Sequence, residues 1–253
     1  MIRLLLEGWA VCAAAQAILW LVAQRTKNAG IVDVGWALTF TAVVAVFGLS
    51  TGHWPPIAAV VVAWSLRLGG YLIARGAASG PEEGRYADLR ARWSPHASRN
   101  FFVFFQAQAA LTAVLTSAFV TPFVEVARTA WLYWLGIAIS VIGIAGEAVA
   151  DAQLAKFKRS HKGQVCDVGL WSWSRHPNYF FEWCVWIGYA VTGFAYAPWG
   201  LIALAPQAII FASIFGVTGI PPTEKQALRS KGEAYAEYQR RVSRFVPMPP
   251  KRV

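Results

Sequence analysis

Residues 170–192 read LWSWSRHPNYFFEWCVWIGYAVT, and two opposite demands meet in them. The front is cationic and hydrogen-bonding, with Ser174, Arg175, His176, Asn178 and Tyr179. The remainder is an apolar run long enough to enter a bilayer. An arginine beside a histidine at the mouth of a buried helix suits an anionic group such as phosphate, because a guanidinium offers a planar fork of donors. Glu182 falls one turn beyond Asn178 on the same face. A carboxylate that deep in an apolar run is costly unless it is paired or ligand-bound. A basic flank with an interfacial belt of Trp171, Trp173 and Tyr179 would explain the charge and the rings, but topology asks for neither an amide nor an acid.

The rest of the chain is as apolar as this stretch. Of 253 residues, 57% are hydrophobic and 14% charged, with 13 Trp and a mean hydropathy of +0.43. A soluble domain carries roughly 25% charge, so the sequence reads as an all-α, polytopic membrane protein. Seven stretches reach or approach the ~20 residues of a spanning helix: 4–21, 31–49, 56–73, 101–120, 131–149, 179–194 and 199–217. Arg3 and the small residues at 13–15 imitate a signal peptide, but Glu7, Trp20 and six further apolar stretches favour an uncleaved first span.

Lysine and arginine fix the expected orientation. Of the 23, only Arg3, Arg67 and Arg128 fall outside four connections: residues 25–27, 75–99, 156–175 and the tail from Lys225. Under the positive-inside rule this places the N-terminus outside and the C-terminus in the cytoplasm, with an odd number of spans between. The net charge of +10 is explained by topology rather than by nucleic acid. The chain is expected to be one transmembrane domain, 1–253, whose loops 74–99 and 151–175 and tail 219–253 converge on one cytoplasmic site. Cys12, Cys166 and Cys184 are odd in number and lack CxxC spacing, so neither a disulfide framework nor a zinc site is expected. There is no Rossmann fingerprint, Walker loop or HExxH, and no metal is expected. Nothing in the sequence indicates an obligate protein partner.

Ionisable residues inside the spans narrow the chemistry. Asp33 and Trp36 open the second span in IVDVGWALTF, where Asp33 could also complement the helix dipole. Arg67 and Tyr71 lie in WSLRLGGYLIAR, and a mid-helix arginine calls for an internal partner. Glu147 and Asp151 are one turn apart in GEAVADAQLAKFKR, and Glu147 is also a potential counter-ion for an arginine.

RHPNYFFEW, together with DVGW, RLGGYL, EEGRY, ADAQLAKFKR and the tail TGIPPTEKQALRSKGEAYAEYQRRVSRFVPMPPK, resembles the bacterial branch of the steroid 5α-reductase family, long catalogued as a domain of unknown function. The resemblance covers nearly the whole chain. RHPNY is shared with membrane methyltransferases of the isoprenylcysteine and phospholipid type, whereas DVGW, RLGGYL and GIPPTEK point to the reductase branch. The resemblance implies a seven-helix bundle in the bacterial inner membrane that binds NADPH from the cytoplasm and reduces an activated carbon–carbon double bond of a lipid-like enone. Matched residue by residue, Asn178 and Glu182 would contact the nicotinamide portion, with Tyr179 beside them. Asp151 matches the aspartate of the preceding helix, Lys158 the basic residue facing phosphate, and Arg175 with His176 reinforces that anionic site. Glu224, Tyr235 and Arg241 lie where the family closes its cofactor pocket. Arg67 matches an arginine of the third span, with Tyr71 and Asp33 as candidate proton donors. Trp64 stands where the steroid enzymes place a substrate-binding tyrosine, and their substrate-facing glutamate has no counterpart, so the resemblance does not extend to steroid specificity. The alternative is an S-adenosylmethionine-dependent membrane methyltransferase.

Overall fold

The computed structural model describes residues 1–77, 79, 82 and 84–251, apart from the side chain at 217. Glu83 of EEGRY and Arg252 of the basic tail lie outside the described residues. The described chain is all-helical, with a single pair of residues, Ser174 and Ser243, bridged in parallel β fashion. Five of its helical stretches are long and apolar enough to cross a membrane: Ile2–Thr26, Ile31–Thr51, Pro56–Ala74, Ala130–Ser160 and Trp199–Lys231. The other two expected spans are the helices Ala97–Thr116 and Pro177–Phe194. Both carry polar residues in their first two turns, Arg99 and Asn100 in one and Asn178 and Glu182 in the other, which lowers their hydropathy.

The chain divides into two compact units, Met1–Arg128 and Thr129–Val253. The first contains α1 (Ile2–Thr26), α2 (Ile31–Thr51), α3 (Pro56–Ala74), the short α4 (Gly84–Arg92) and α5 (Ala97–Thr116). Punctuation in the sequence sets these limits. Gly52 takes the left-handed conformation (φ 68°) that ends α2, and its N–H bonds the carbonyl of Gly48. Pro56 supplies the first residue of α3, where a missing N–H costs nothing. The core is aromatic: Trp36, Phe40 and Trp64 meet edge to face, with centroids 5.0–6.2 Å apart. A second cluster of Ala23, Val32, Tyr86, Phe101 and Phe105 buries one face of α4.

The second unit is built on α6 (Ala130–Ser160) and α7 (Pro177–Phe194), followed by α8 (Leu204–Ala212), α9 (Ile220–Lys231) and α10 (Glu233–Arg241). The buried positions of α6 include Gly136, Ser140, Gly143 and Glu147, spaced four, three and four apart on one seam. Glycine there permits backbone contact. A Cβ on Gly143 would lie 2.8 Å from the Phe181 carbonyl oxygen and the Val185 nitrogen, and one on Gly188 would lie 2.6 Å from the Gly136 carbonyl oxygen. Ser140 completes the seam by donating to the Val185 carbonyl at 3.2 Å. At ~1.5 Å per residue, α6 is about 46 Å long, well beyond the ~30 Å hydrocarbon layer, so one polar end stands clear of the apolar run.

Candidate functional site

Pro177 opens α7, so Arg175 and His176 are the last residues of the chain's approach to it. Their side chains are buried and hydrogen-bonded to protein. Arg175 Nε donates to Glu224 Oε1 at 2.7 Å, and its Nη1 donates to the carbonyls of Gln239 and Val242, each at 2.8 Å. Its backbone N–H bonds the Ser243 carbonyl at 2.8 Å, and the Ser174 hydroxyl donates to the Phe245 carbonyl at 2.7 Å. The guanidinium therefore caps the C-terminal end of α10, where orphan carbonyls attract a cation, and ties the tail to α7. His176 stacks on Tyr179 with the rings 7° from parallel and 5.5 Å apart. Burial lowers the pKa of His176, more than its hydrogen bond with Glu224 raises it. The imidazole is consequently neutral at pH 7, and Nε2 donates to the carboxylate at 3.3 Å. The Tyr179 hydroxyl lies 3.3 Å from the Thr223 hydroxyl.

Tyr235 and Tyr238 form the inner face of α10 with Val242. Burial pushes the Tyr235 phenol up to about 12. Tyr238 donates to the Trp171 carbonyl at 2.5 Å. Arg241 is half exposed and lies 3.6 Å from Asp167 and 3.7 Å from Glu237. Of the three tail residues in the candidate set, Glu224 is thus in direct contact with Arg175 and His176, while Tyr235 and Arg241 shape the segment that Arg175 holds.

Further along the α6–α7 seam, polar groups replace glycines. Asn178 Nδ2 donates to Asp151 Oδ1 at 3.3 Å, and Trp186 Nε1 donates to Glu182 Oε1 at 2.8 Å. Glu147 and Asp151 are both buried, at 5% exposure. Asn178 and Asp151 therefore meet across the helix pair, with Glu182 one turn beyond Asn178 on α7 and Glu147 one turn before Asp151 on α6. One to three turns beyond Asp151, α6 ends in Lys156, Lys158 and Arg159, with Lys162 just after. None of these four cations is in an ion pair among the described residues. Among the described residues no group of three or more His, Cys, Asp or Glu could hold a metal.

In the first unit, Asp33 lies at the start of α2 and accepts from the Arg85 guanidinium and, at 2.9 Å, from the Tyr86 hydroxyl. Arg85 also stacks over the Tyr86 ring at 4.6 Å. Beside it, Glu82 accepts from the Ala29 N–H at 2.8 Å and holds Arg90 through two bonds of 2.6 and 2.9 Å. Asp33 is thereby the acceptor that docks α4. Arg67 and Tyr71, one turn apart on α3, are each partly buried. Ser65, on the same helix, donates to the Ala37 carbonyl at 2.7 Å and fixes α3 against α2.

The partners of Asp33 had a sequence signal, since Arg85 and Tyr86 are the last residues of EEGRY. The α6 seam had one too, in the four-three-four spacing of small residues. Lys156, Arg159 and Lys162 entered the charge census but not the candidate site. A family model described as "Protein of unknown function (DUF1295)" matches residues 19–242. No curated protein and no solved structure matches the chain. With most of its length inside that match, the chain belongs to the DUF1295 family, whose function is unknown.

Proposed function

We propose that the protein is an NADPH-dependent reductase of an activated carbon–carbon double bond in a lipid-like enone. On this reading it crosses the bacterial inner membrane seven times, with its N-terminus outside and its cofactor site toward the cytoplasm. The observation that supports it best is the polar row along the α6–α7 pair, leading to a basic end that has no acid partners among the described residues. A dinucleotide asks for both features. Asn178 and Glu182 offer a donor and an acceptor one turn apart, the pair a carboxamide needs. Asp151 and Lys158 are seven residues apart on one face of α6, about 10 Å along the axis. That separation lets one face of the helix serve the carboxamide end at Asp151 and neutralise phosphate two turns further on at Lys158.

The donor set therefore fits NADPH, which when bound would supply a hydride. Lys158, with Lys156, Arg159 and Lys162, would hold the phosphates. Arg175 would act through others, fixing His176, Tyr179 and the C-terminal segment around the site. The roles of Arg67 and Tyr71 rest on the family resemblance: Arg67 would polarise the enone carbonyl, and Tyr71 would give a proton to the adjacent carbon. Asp33 is a weaker candidate for that proton than Tyr71, because it accepts from two donors in docking α4.

The test is thermal stabilisation of the protein in mild detergent by NADPH, NADH and S-adenosylmethionine, followed by single-turnover oxidation of NADPH with a quinone- or steroid-type enone. Ligand at 100 times its Kd stabilises by about 2.7 kcal/mol. NADPH stabilisation with enone-dependent oxidation is expected. Stabilisation by S-adenosylmethionine alone would replace this reading with the methyltransferase.

A further inference from the structure

A cavity of about 460 Å³ opens in the first unit between the end of α1 and the start of α5, lined by Trp20, Pro95, His96, Ser98, Arg99 and Phe102. It is far in sequence from the residues assigned to the cofactor, and the proposed reductase chemistry makes no use of it. Its floor is aromatic: Trp20 and Phe102 meet edge to face at 5.1 Å, and Trp20 Nε1 is fixed by a 3.0 Å bond to the Ser98 carbonyl. Its rim is cationic. Arg99 is exposed, and neither it nor His96 has an acid partner among the described residues. His96 puts no side-chain cap on α5. The first N–H groups of that helix therefore add partial positive charge to the same rim.

The two helices that line the cavity also carry exposed apolar side chains. Phe102, in the lining, is 39% exposed, and Val103 on α5 and Ile18 and Leu21 on α1 are 61%, 62% and 54% exposed. A cationic and aromatic lining on helices with exposed apolar side chains complements a molecule with an anionic head and hydrocarbon chains. The volume is within the roughly 300–1,000 Å³ of small-molecule sites. We infer that this cavity binds the headgroup of an anionic phospholipid, with Arg99 on the phosphate, Trp20 and Phe102 against the glycerol region, and the acyl chains along α1 and α5. The site anchors the first unit at the membrane surface and is independent of cofactor binding.

The full-length protein would be placed in nanodiscs of phosphatidylcholine containing a minor fraction of phosphatidylglycerol, and the lipids retained after extraction would be counted by native mass spectrometry. Wild type is expected to retain phosphatidylglycerol over phosphatidylcholine. Arg99→Gln should reduce that preference by about tenfold for the lost charge-assisted contact, whereas Arg99→Lys should keep most of it and Phe102→Ala should lower the retention of both lipids. Helical circular dichroism checks that each variant is folded, and Arg99 is exposed enough for its replacements to fold. Retention of the two lipids by wild type in proportion to their abundance in the nanodisc, or an unchanged preference in folded Arg99→Gln, overturns the inference. Displacement of phosphatidylglycerol by millimolar inorganic phosphate would also overturn it, by making the site one for a free anion.

Discussion

Each unit joins a short amphipathic helix to a longer one through an arginine and a carboxylate, but the two knots differ in burial. In the second unit, Arg175 and Glu224 have side chains only 9% and 13% exposed, and the guanidinium also holds two backbone carbonyls. In the first, Arg90 is 30% exposed and Glu82 11%, and Arg85 is 51% exposed against Asp33. The difference teaches where charge acts as structure. A buried pair that loses one member leaves an uncompensated charge, whereas a pair open to water is replaced by solvent at small cost.

The sharpest way to break the comparison is Arg175→Ala. It strands Glu224 and two carbonyls, and should destabilise the protein by about 3–5 kcal/mol, read as a lower thermal midpoint and proteolysis of the tail at 219–251. A loss as small as that of a surface pair would make Arg175 a ligand-facing residue after all. Next comes the seam that carries α7. Gly143→Ala sets a Cβ against backbone at 2.8 Å and should cost about 1–3 kcal/mol, while Gly70→Ala, where a Cβ meets nothing within 4 Å, should cost no stability.

Arg85→Ala in the first unit, where the pair with Asp33 is 51% and 20% exposed, should cost only about 1 kcal/mol, and a loss as large as that of Arg175→Ala would erase the contrast. Acid should separate the knots as well. His176 has its pKa lowered by burial, so the folded state favours the neutral imidazole and the contribution is complete above the ordinary ~6.5. It is lost as pH falls below that value. Glu82 has its carboxyl lowered, chiefly by the hydrogen bond from Arg90, so its contribution is complete above the ordinary ~4.3 and fades at lower pH. The thermal midpoint should therefore begin to fall below pH ~6.5 in wild type, and only at more acidic pH in His176→Gln. Identical profiles would remove His176 from the account.

These residues also show what could be read from the chain. Hydropathy gave the helices because a bilayer-facing segment must be apolar along its length, and five stretches satisfy that by composition alone. RHPNYFFEW drew attention to Asn178 and Glu182, which the structure places one turn apart on α7. The tasks of Arg175 and Asp33 were not legible, since a buried cation holding protein carbonyls and one holding phosphate look alike in sequence. Their partners, Glu224 and Arg85, lie 49 and 52 positions away. The small-residue seam of α6 was legible in principle, because its spacing is local.

The basic end of α6 has no ion pair among the described residues, and the central claim is that this end, and not Arg175, receives the anionic part of the ligand. Lys158 is exposed and without an acid partner among the described residues, so Lys158→Ala should leave the unliganded thermal midpoint almost unchanged, within about 0.5 kcal/mol. The decisive measurement is an NADPH titration of that midpoint in wild type and Lys158→Ala side by side. The account predicts a concentration-dependent rise in wild type and an apparent Kd weakened by roughly tenfold or more in the variant, for loss of one charge-assisted contact. No rise in wild type at millimolar NADPH, or the same titration in both proteins, would contradict it.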